Sequence, residues 1–451
     1  MAGLPKDYIA SVSPVFLFID KAANLDRSEK EDKMKAIQLS LIVFAALVFA
    51  VGSGGTVFAF HSGGVAECGG CHSVHTPAPG STFLLKQNDQ SSTCLNCHQI
   101  RGDTGPSSFH ISTDEADMPQ GSPPLQLTPG GDFGWLKKNY TYTADGVAVT
   151  EDGSTHGHNI VAIDYNYQPD PVNVLAPGGT FPAAALACNS CHDPHGRYRR
   201  LSDGTVAMTT APIIASGSYD DSPVPGAGEA VGVYRLLAGS GYTKEGLTFN
   251  GNPAAVTPAV YNRSESATQT RTAYGAATTG GHDTWGNWCA VCHPDMHSAG
   301  NTVHAVDEGL GTDIAALYYS YIKSGDMTGS AATSFLSLVP FAENTSDYAA
   351  LATHAKNDDS QLGGPASSDQ VMCLSCHRAH ASGWENMLRW NNAATFIVYN
   401  SNWPGTDTTP AVPEFAMGRL SAETRAANYD RVATTFATYQ RVLCNKCHAM
   451  D

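Results

Sequence analysis

Twelve cysteines are present in the chain, and every one belongs to a C-x-x-C pair. The pairs stand at Cys68/Cys71, Cys94/Cys97, Cys188/Cys191, Cys289/Cys292, Cys373/Cys376 and Cys444/Cys447. A histidine follows each second cysteine: His72, His98, His192, His293, His377 and His448. C-x-x-C alone is shared by zinc knuckles, dithiol redox sites and disulfides, whereas C-x-x-C-H is the attachment signature of a c-type haem. Histidine follows an arbitrary residue about once in fifty on ordinary usage, so six out of six is not chance. The spacing has a physical cause. Two thiols three residues apart reach the vinyl groups on one edge of a porphyrin, and the adjacent imidazole reaches the iron from one face. A zinc ribbon needs paired knuckles and none of these histidines, and a chain of 451 residues does not need disulfide staples. The motifs therefore predict six covalently bound haem c groups.

That cofactor load dictates the expected fold. The motif starts are 26, 94, 101, 84 and 71 residues apart. The intervals run through Gly, Pro, Ser, Thr, Asn and Asp, as in Asp203 to Gly232 and Ser401 to Pro413. Glycine and proline supply 44 and 25 positions, and only 15% of residues are charged. Such stretches read as loops, here pinned at covalent haems. The expectation is mostly coil with several short helices and little sheet, wrapped around a chain of six haems that serve as apolar filling. Local patterning predicts a helix over Asp313 to Lys323, with Ile314, Leu317, Tyr318 and Tyr321 on one face. It predicts a second helix capped by Asp430 and running into Val442, with Val432, Phe436 and Tyr439 periodic. Alternation over Tyr140 to Val149 predicts a hairpin turning at Asp145-Gly146. No clean domain boundary shows; Ser216 to Gly228 is the weakest join.

Targeting signals agree with an oxidising compartment outside the cytoplasm. Lys33 and Lys35 precede an apolar run from Leu39 to Val51, of signal-peptide length and short for a bilayer span. Val57-Phe58-Ala59 is a small-x-small cleavage site that makes Phe60 the mature N-terminus. Met34 is placed as a start codon, so 1–33 reads as an over-extended start, 34–59 as a signal peptide and 60–451 as a single hexahaem domain. Net charge is −16, and the segment to Ala59 carries six basic and six acidic residues, so the mature chain keeps all of it. An acidic surface opposes nucleic acid and favours cationic partners or metal ions. No permanent membrane span is expected in the mature chain.

Eleven further histidines can supply second iron ligands, which close an electron-transfer haem to exogenous substrate. His75, His195 and His380 stand three residues past a proximal histidine, in C-H-S-V-H, C-H-D-P-H and C-H-R-A-H. Each faces away from its own iron and can reach that of a neighbouring haem. His297 in C-H-P-D-M-H is a weaker version. His61, seven residues before Cys68, and His158 in H-G-H-N-I come next, followed by His110 and His354. His156 reads as a neighbour of His158, and His282 and His304 as histidines without an iron. Methionine ligation is the alternative, but Met118, Met208 and Met327 show no spacing pattern.

Several loop segments carry a family resemblance: F-H-S-G-G-V-A-E-C at Phe60 to Cys68, G-D-T-G-P-S-S-F-H-I-S at Gly102 to Ser112, and P-G-G-D-F-G-W-L-K-K at Pro129 to Lys138. H-G-H-N-I-V-A at His156 to Ala162, C-L-S-C-H-R-A-H-A-S-G at Cys373 to Gly383 and C-N-K-C-H-A at Cys444 to Ala449 continue it. From Phe60 to Asp451 the chain resembles the OmcS-like outer-surface hexahaem cytochromes of metal-reducing bacteria, which polymerise into extracellular filaments. The resemblance implies closely packed bis-histidine haems and identical protomers joined end to end. It also implies that His75 ligates a haem of the adjoining protomer, the one attached at Cys373/Cys376. Gly275 to Trp285 and Ser401 to Met417 depart from the family pattern.

The function expected is electron transfer at the outer cell surface, by hopping between irons, toward other redox cytochromes, extracellular metal oxides, electrodes or partner cells. A nitrite- or hydroxylamine-type reductase is the enzyme alternative. It needs an iron with an open position, often marked by C-x-x-C-K, and no such motif occurs. A periplasmic shuttle that does not polymerise is the third reading.

Overall fold

Glycine and proline keep the ladders short, so the described chain is built from short helices and two- to five-residue strands. The computed structural model describes residues 67–73, 75–79, 82–99, 109–259, 271–297, 305–334, 339–357 and 364–448. The two N-terminal segments assigned to 1–33 and 34–59, together with His61 and His304, lie outside the described residues. Mostly coil, with short helices and small sheets, is what the structure shows. Its sheets have two or three strands each. Among the described residues no helix is long and apolar enough to cross a membrane.

The hairpin forms as expected. Tyr140–Ala144 pairs antiparallel with Val147–Glu151, Tyr140 opposite Glu151. Asp145 (φ 50°) and Gly146 (φ 81°) both occupy the left-handed region, the requirement of a type I′ turn. The first long helix, Gln90–His98, starts where the Asp89 carboxylate accepts from Ser92 N at 2.7 Å. It buries Ser91, Ser92 and Leu95 and carries both thiols of the second motif. Thr284 caps Trp285–Ala290 in the same way, by accepting from Asn287 N, and leads into Cys289.

Two helical expectations fare differently. The helix predicted over 313–323 is present as Gly311–Ser320, but its buried side chains are Ala315 and Tyr318, while Ile314 is exposed. The helix predicted from Asp430 to Val442 is not there. Tyr429 and Asp430 are both left-handed, at φ 59° and 57°. The chain then makes one short turn, Ala433–Thr435, and a strand, Tyr439–Gln440, paired with Val398–Tyr399. Val432 and Tyr439 are exposed and Phe436 is buried, so the supposed apolar stripe does not lie on one face.

The apolar interior is divided. One cluster gathers Tyr198, Tyr234, Tyr242, Phe249, Trp285 and Trp288 against Cys191 and Cys289. A second packs Tyr318, Tyr321, Phe341, Trp390, Trp403 and Phe436 against Cys447. A third sets Leu95, Phe133 and Tyr167 against Cys188. Ser216 to Gly228 is no loose join: Gly217, at φ 75°, lies so close to the Gly232 carbonyl that a Cβ there would sit 1.7 Å from its oxygen.

Candidate haem centres

None of the twelve cysteines is paired in a disulfide, and their neighbours run in chain order. Cys71 interacts with Cys97. The Cys94 thiol contacts that of Cys188. Cys191 interacts with Cys292, Cys289 contacts Cys373, and Cys376 interacts with Cys444. Each motif thus adjoins the next, first to sixth.

Five of the six proximal histidines are aimed by backbone carbonyls. Nδ1–H of His72 donates to Phe83 O at 2.9 Å, that of His98 to Phe109 O at 2.8 Å and that of His192 to Arg235 O at 2.7 Å. His293 donates to Pro177 O at 2.8 Å and His377 to Asn386 O at 2.7 Å. Committing Nδ1 leaves Nε2 available to ligate a metal and raises its basicity.

Three of these carbonyls belong to one recurring strap that sequence reading missed. Phe83-Leu84, Arg235-Leu236 and Asn386-Met387 are each a consecutive left-handed pair. The leucine after each pair bridges a proximal histidine: Leu85 to His72, Leu237 to His192, Leu388 to His377. The flanking bonds repeat as well. Ser73 N donates to Leu84 O, Asp193 N to Leu236 O and Arg378 N to Met387 O, at 2.7, 2.7 and 2.8 Å. Lys86 N, Ala238 N and Arg389 N return to the carbonyls of Cys71, Cys191 and Cys376. The straps serve the three motifs that continue as C-H-x-x-H. The sequence signal was a Leu-Leu or Met-Leu pair, hidden because its distance from the histidine varies.

Distal candidates face proximal histidines across matching gaps. Ring centroids are 6.5 Å apart for His72 and His195, 6.4 Å for His192 and His380, and 6.1 Å for His158 and His293. Two imidazoles on opposite faces of one metal, each bonded at about 2.0 Å, have centroids about 6.3 Å apart. The three gaps, the five committed Nδ1 atoms and the six cysteine pairs outside disulfides therefore fit haems of the c type. His98 is within electrostatic reach of His110, a fully enclosed side chain; the Phe109 ring meets His98 edge-on at 5.8 Å and lies tilted against His110 at 4.6 Å.

The distal side chains are held firmly. His158 Nδ1 donates to Ala379 O at 2.7 Å, and His158 N to His380 O at 2.9 Å. Gly157 pairs with Ala381, so two distal segments clip each other. The His380 ring stacks on Phe133 at 4.6 Å. It lies against Gly130, where a Cβ would come within 2.9 Å of the ring, and Gly131 (φ 90°) passes close beneath Ala381 O. Burial, with His293 next, drives the pKa of His158 down to about 4. Burial, with His192 next, drives that of His380 down to about 3. Both imidazoles stay neutral at physiological pH, the form that binds a metal.

Other candidates are placed differently. His75 is exposed. His297 turns Nε2 toward Asp307 Oδ2 at 3.1 Å, and His354 Nδ1 faces Glu343 Oε2 at 2.7 Å; neither faces a proximal histidine in this arrangement. His282 donates from Nδ1 to Asn252 O at 3.3 Å. His156 is buried between the Trp135 carbonyl and the Glu151 carboxylate, 3.0 and 2.6 Å away.

With this geometry in view, relatives are informative. The chain is 50% identical to the C-type cytochrome OmcS of Geobacter sulfurreducens over 444 residues, 92% of this chain and all of that protein. The chain belongs to the OmcS family of c-type cytochromes. Two solved structures share its fold: OmcS nanowires from Geobacter sulfurreducens, determined by cryo-EM, and the outer membrane cytochrome S filament of the same organism. Each matches at a TM-score of 0.78 and 50% identity, covering 87% of this chain and 100% of the other. No protein-family model matches. As an OmcS-family member the chain is a hexahaem electron-transfer protein rather than an enzyme.

Proposed function

We propose that the chain polymerises head to tail at the outer cell surface and carries electrons through a continuous relay of bis-histidine haems to acceptors outside the cell. The observation that carries the proposal is a repeat. In the second C-x-x-C-H-x-x-H unit the last histidine, His195, faces His72 of the first unit. In the third, His380 faces His192 of the second. The same step taken once more sets His75 of the next copy opposite His377 of this one. A single head-to-tail contact that does not close on itself generates a filament, and the exposed His75 is available for it. Filaments formed by the OmcS relative support the same reading.

When attached, the haems supply one-electron Fe(III)/Fe(II) couples. The chain's own part is orientation and exclusion. At five motifs a carbonyl-bonded Nδ1 leaves Nε2 to hold the iron. His195, His380, His158 and His110 would serve as second ligands for the irons held by His72, His192, His293 and His98, and would close those irons to substrate. The order of adjoining thiols sets the order of hopping from first motif to sixth. Mineral oxides, electrodes, partner cells and other cytochromes are the acceptors this outer-surface relay suits.

His75→Ala protein tests the joint. It should be secreted with six haems, lose its filaments in electron micrographs, and convert about one-sixth of its haem from low to high spin. Filaments of undiminished length with every haem low-spin would sink the proposal. Soluble wild-type protomers that never form filaments would favour the periplasmic shuttle.

A further inference from the structure

Two residues separate the cysteines of each motif, and the second of them turns into the protein where its surroundings are closed. Ser190 and Ser375 are both buried. Ser190 Oγ accepts from Ala187 N at 3.0 Å, and Ser375 Oγ accepts from Met372 N at 3.1 Å while donating to Pro340 O at 2.6 Å. The corresponding residues of three other motifs are Gly70, Asn96 and Val291. In the sixth motif the position holds Lys446, the one formally charged residue between the cysteines of any motif.

Lys446 is 1% exposed. Its Nζ donates to Tyr321 O at 2.6 Å and Ser334 O at 2.8 Å. It lies over the rings of Tyr318 and Tyr321, 4.4 and 5.3 Å from their centroids. These partners are carbonyls and aromatic faces; none of them is a carboxylate, so the positive charge is solvated without being cancelled. The ammonium and the Cys447 sulfur interact electrostatically, which puts the field of the cation on an atom that bonds the porphyrin. Two carbonyl acceptors and two aromatic faces favour the protonated ammonium over the neutral amine.

We infer that Lys446 is a potential-setting residue for the haem attached at Cys444 and Cys447, its buried ammonium favouring the reduced state of that haem. Reduction adds one electron to Fe(III) and lowers the local charge by one. A fixed cation in a poorly screened interior therefore stabilises Fe(II) over Fe(III). Since this motif is the last in the order of adjoining thiols, the cation biases electron occupancy toward that end of the protomer. The inference rests on the haem relay proposed above. It does not require polymerisation, because the potential is read equally on protomers and filaments.

The test is a redox titration of the full hexahaem protein, followed by visible absorbance, for Lys446→Ser and Lys446→Met. Serine is the side chain that the fold already accepts at Ser190 and Ser375. About one-sixth of the absorbance change should move to more negative potential. The expected loss is on the order of tenfold in the Fe(II)/Fe(III) ratio of that haem, about 59 mV for a one-electron couple. Lys446→Arg, which keeps the charge, should titrate like the wild type. Neutral variants with six haems by mass and superimposable titrations would overturn the inference, even if they melt at lower temperature. Variants that have lost the sixth haem by mass would overturn it too, because the residue would then serve attachment.

Discussion

At His72, His192 and His377, the imidazole is directed by a carbonyl on a left-handed, non-glycine residue. Such a conformation costs about 1–2 kcal/mol per residue, and each strap contains two. That the same strained pair recurs at three haems ties the strain to the placing of Nε2. The distal side is tested by truncation. His195→Ala and His380→Ala should each retain six haems and each turn about one-sixth of the haem high-spin in the resonance Raman spectrum. Their stabilities should differ. His195 is exposed and should cost little beyond the ligand bond, whereas His380 stacks on Phe133 and should cost about 1–3 kcal/mol more. A variant with an unchanged low-spin spectrum removes that histidine from the ligand set.

Among the elements, the Tyr140–Glu151 hairpin is anchored by charge as well as by its turn. Glu151 ends the second strand and is 2% exposed; Arg419 is fully buried. Their side chains form a close ion pair, and Arg419 also donates from Nε to Gly383 O at 3.0 Å. Its guanidinium lies over Tyr140 and Trp384, 4.0 and 4.5 Å from the ring centroids. The network joins the hairpin to the segment that follows His380. Arg419→Met should lower stability by about 3–5 kcal/mol, because it takes the guanidinium from a buried carboxylate and leaves it only His156 as a side-chain partner. Arg419→Met with Glu151→Met should recover much of that loss. Thermal melting of hexahaem protomers reads both, and a double variant that melts below the single one contradicts this account. The segment after Asp430 shows the opposite lesson: its apolar residues carry helical spacing, but pairing of Tyr439–Gln440 with Val398–Tyr399 overrides it.

For the whole molecule, the separated clusters have a common feature: attachment cysteines pack against the three described above. Among the described residues these clusters stay separate, and haems bound at those cysteines would join them. This also accounts for a loop-rich chain holding a definite shape. The expected product of export is the chain from Phe60 with all six motifs loaded. The intact mass of secreted protein should equal residues 60–451 plus six haems. A mass that includes 1–33 refutes the cleavage assignment, and a deficit of one haem refutes full attachment.

The sequence alone determined the number of haems and named the candidates for their attachment and proximal ligation, because covalent chemistry demands adjacent residues and leaves a contiguous motif. It also determined the coil-rich character and the Asp145-Gly146 turn, both consequences of local backbone preference. It narrowed the distal ligands to a set without pairing them. Tertiary structure alone set His195 opposite His72, His380 opposite His192 and His158 opposite His293, since each pair joins residues more than one hundred positions apart. The same holds for the straps at Phe83, Arg235 and Asn386, which lie 11, 43 and 9 residues from the histidines they hold. A carbonyl has no sequence identity, and its direction depends on backbone dihedrals that long-range packing selects.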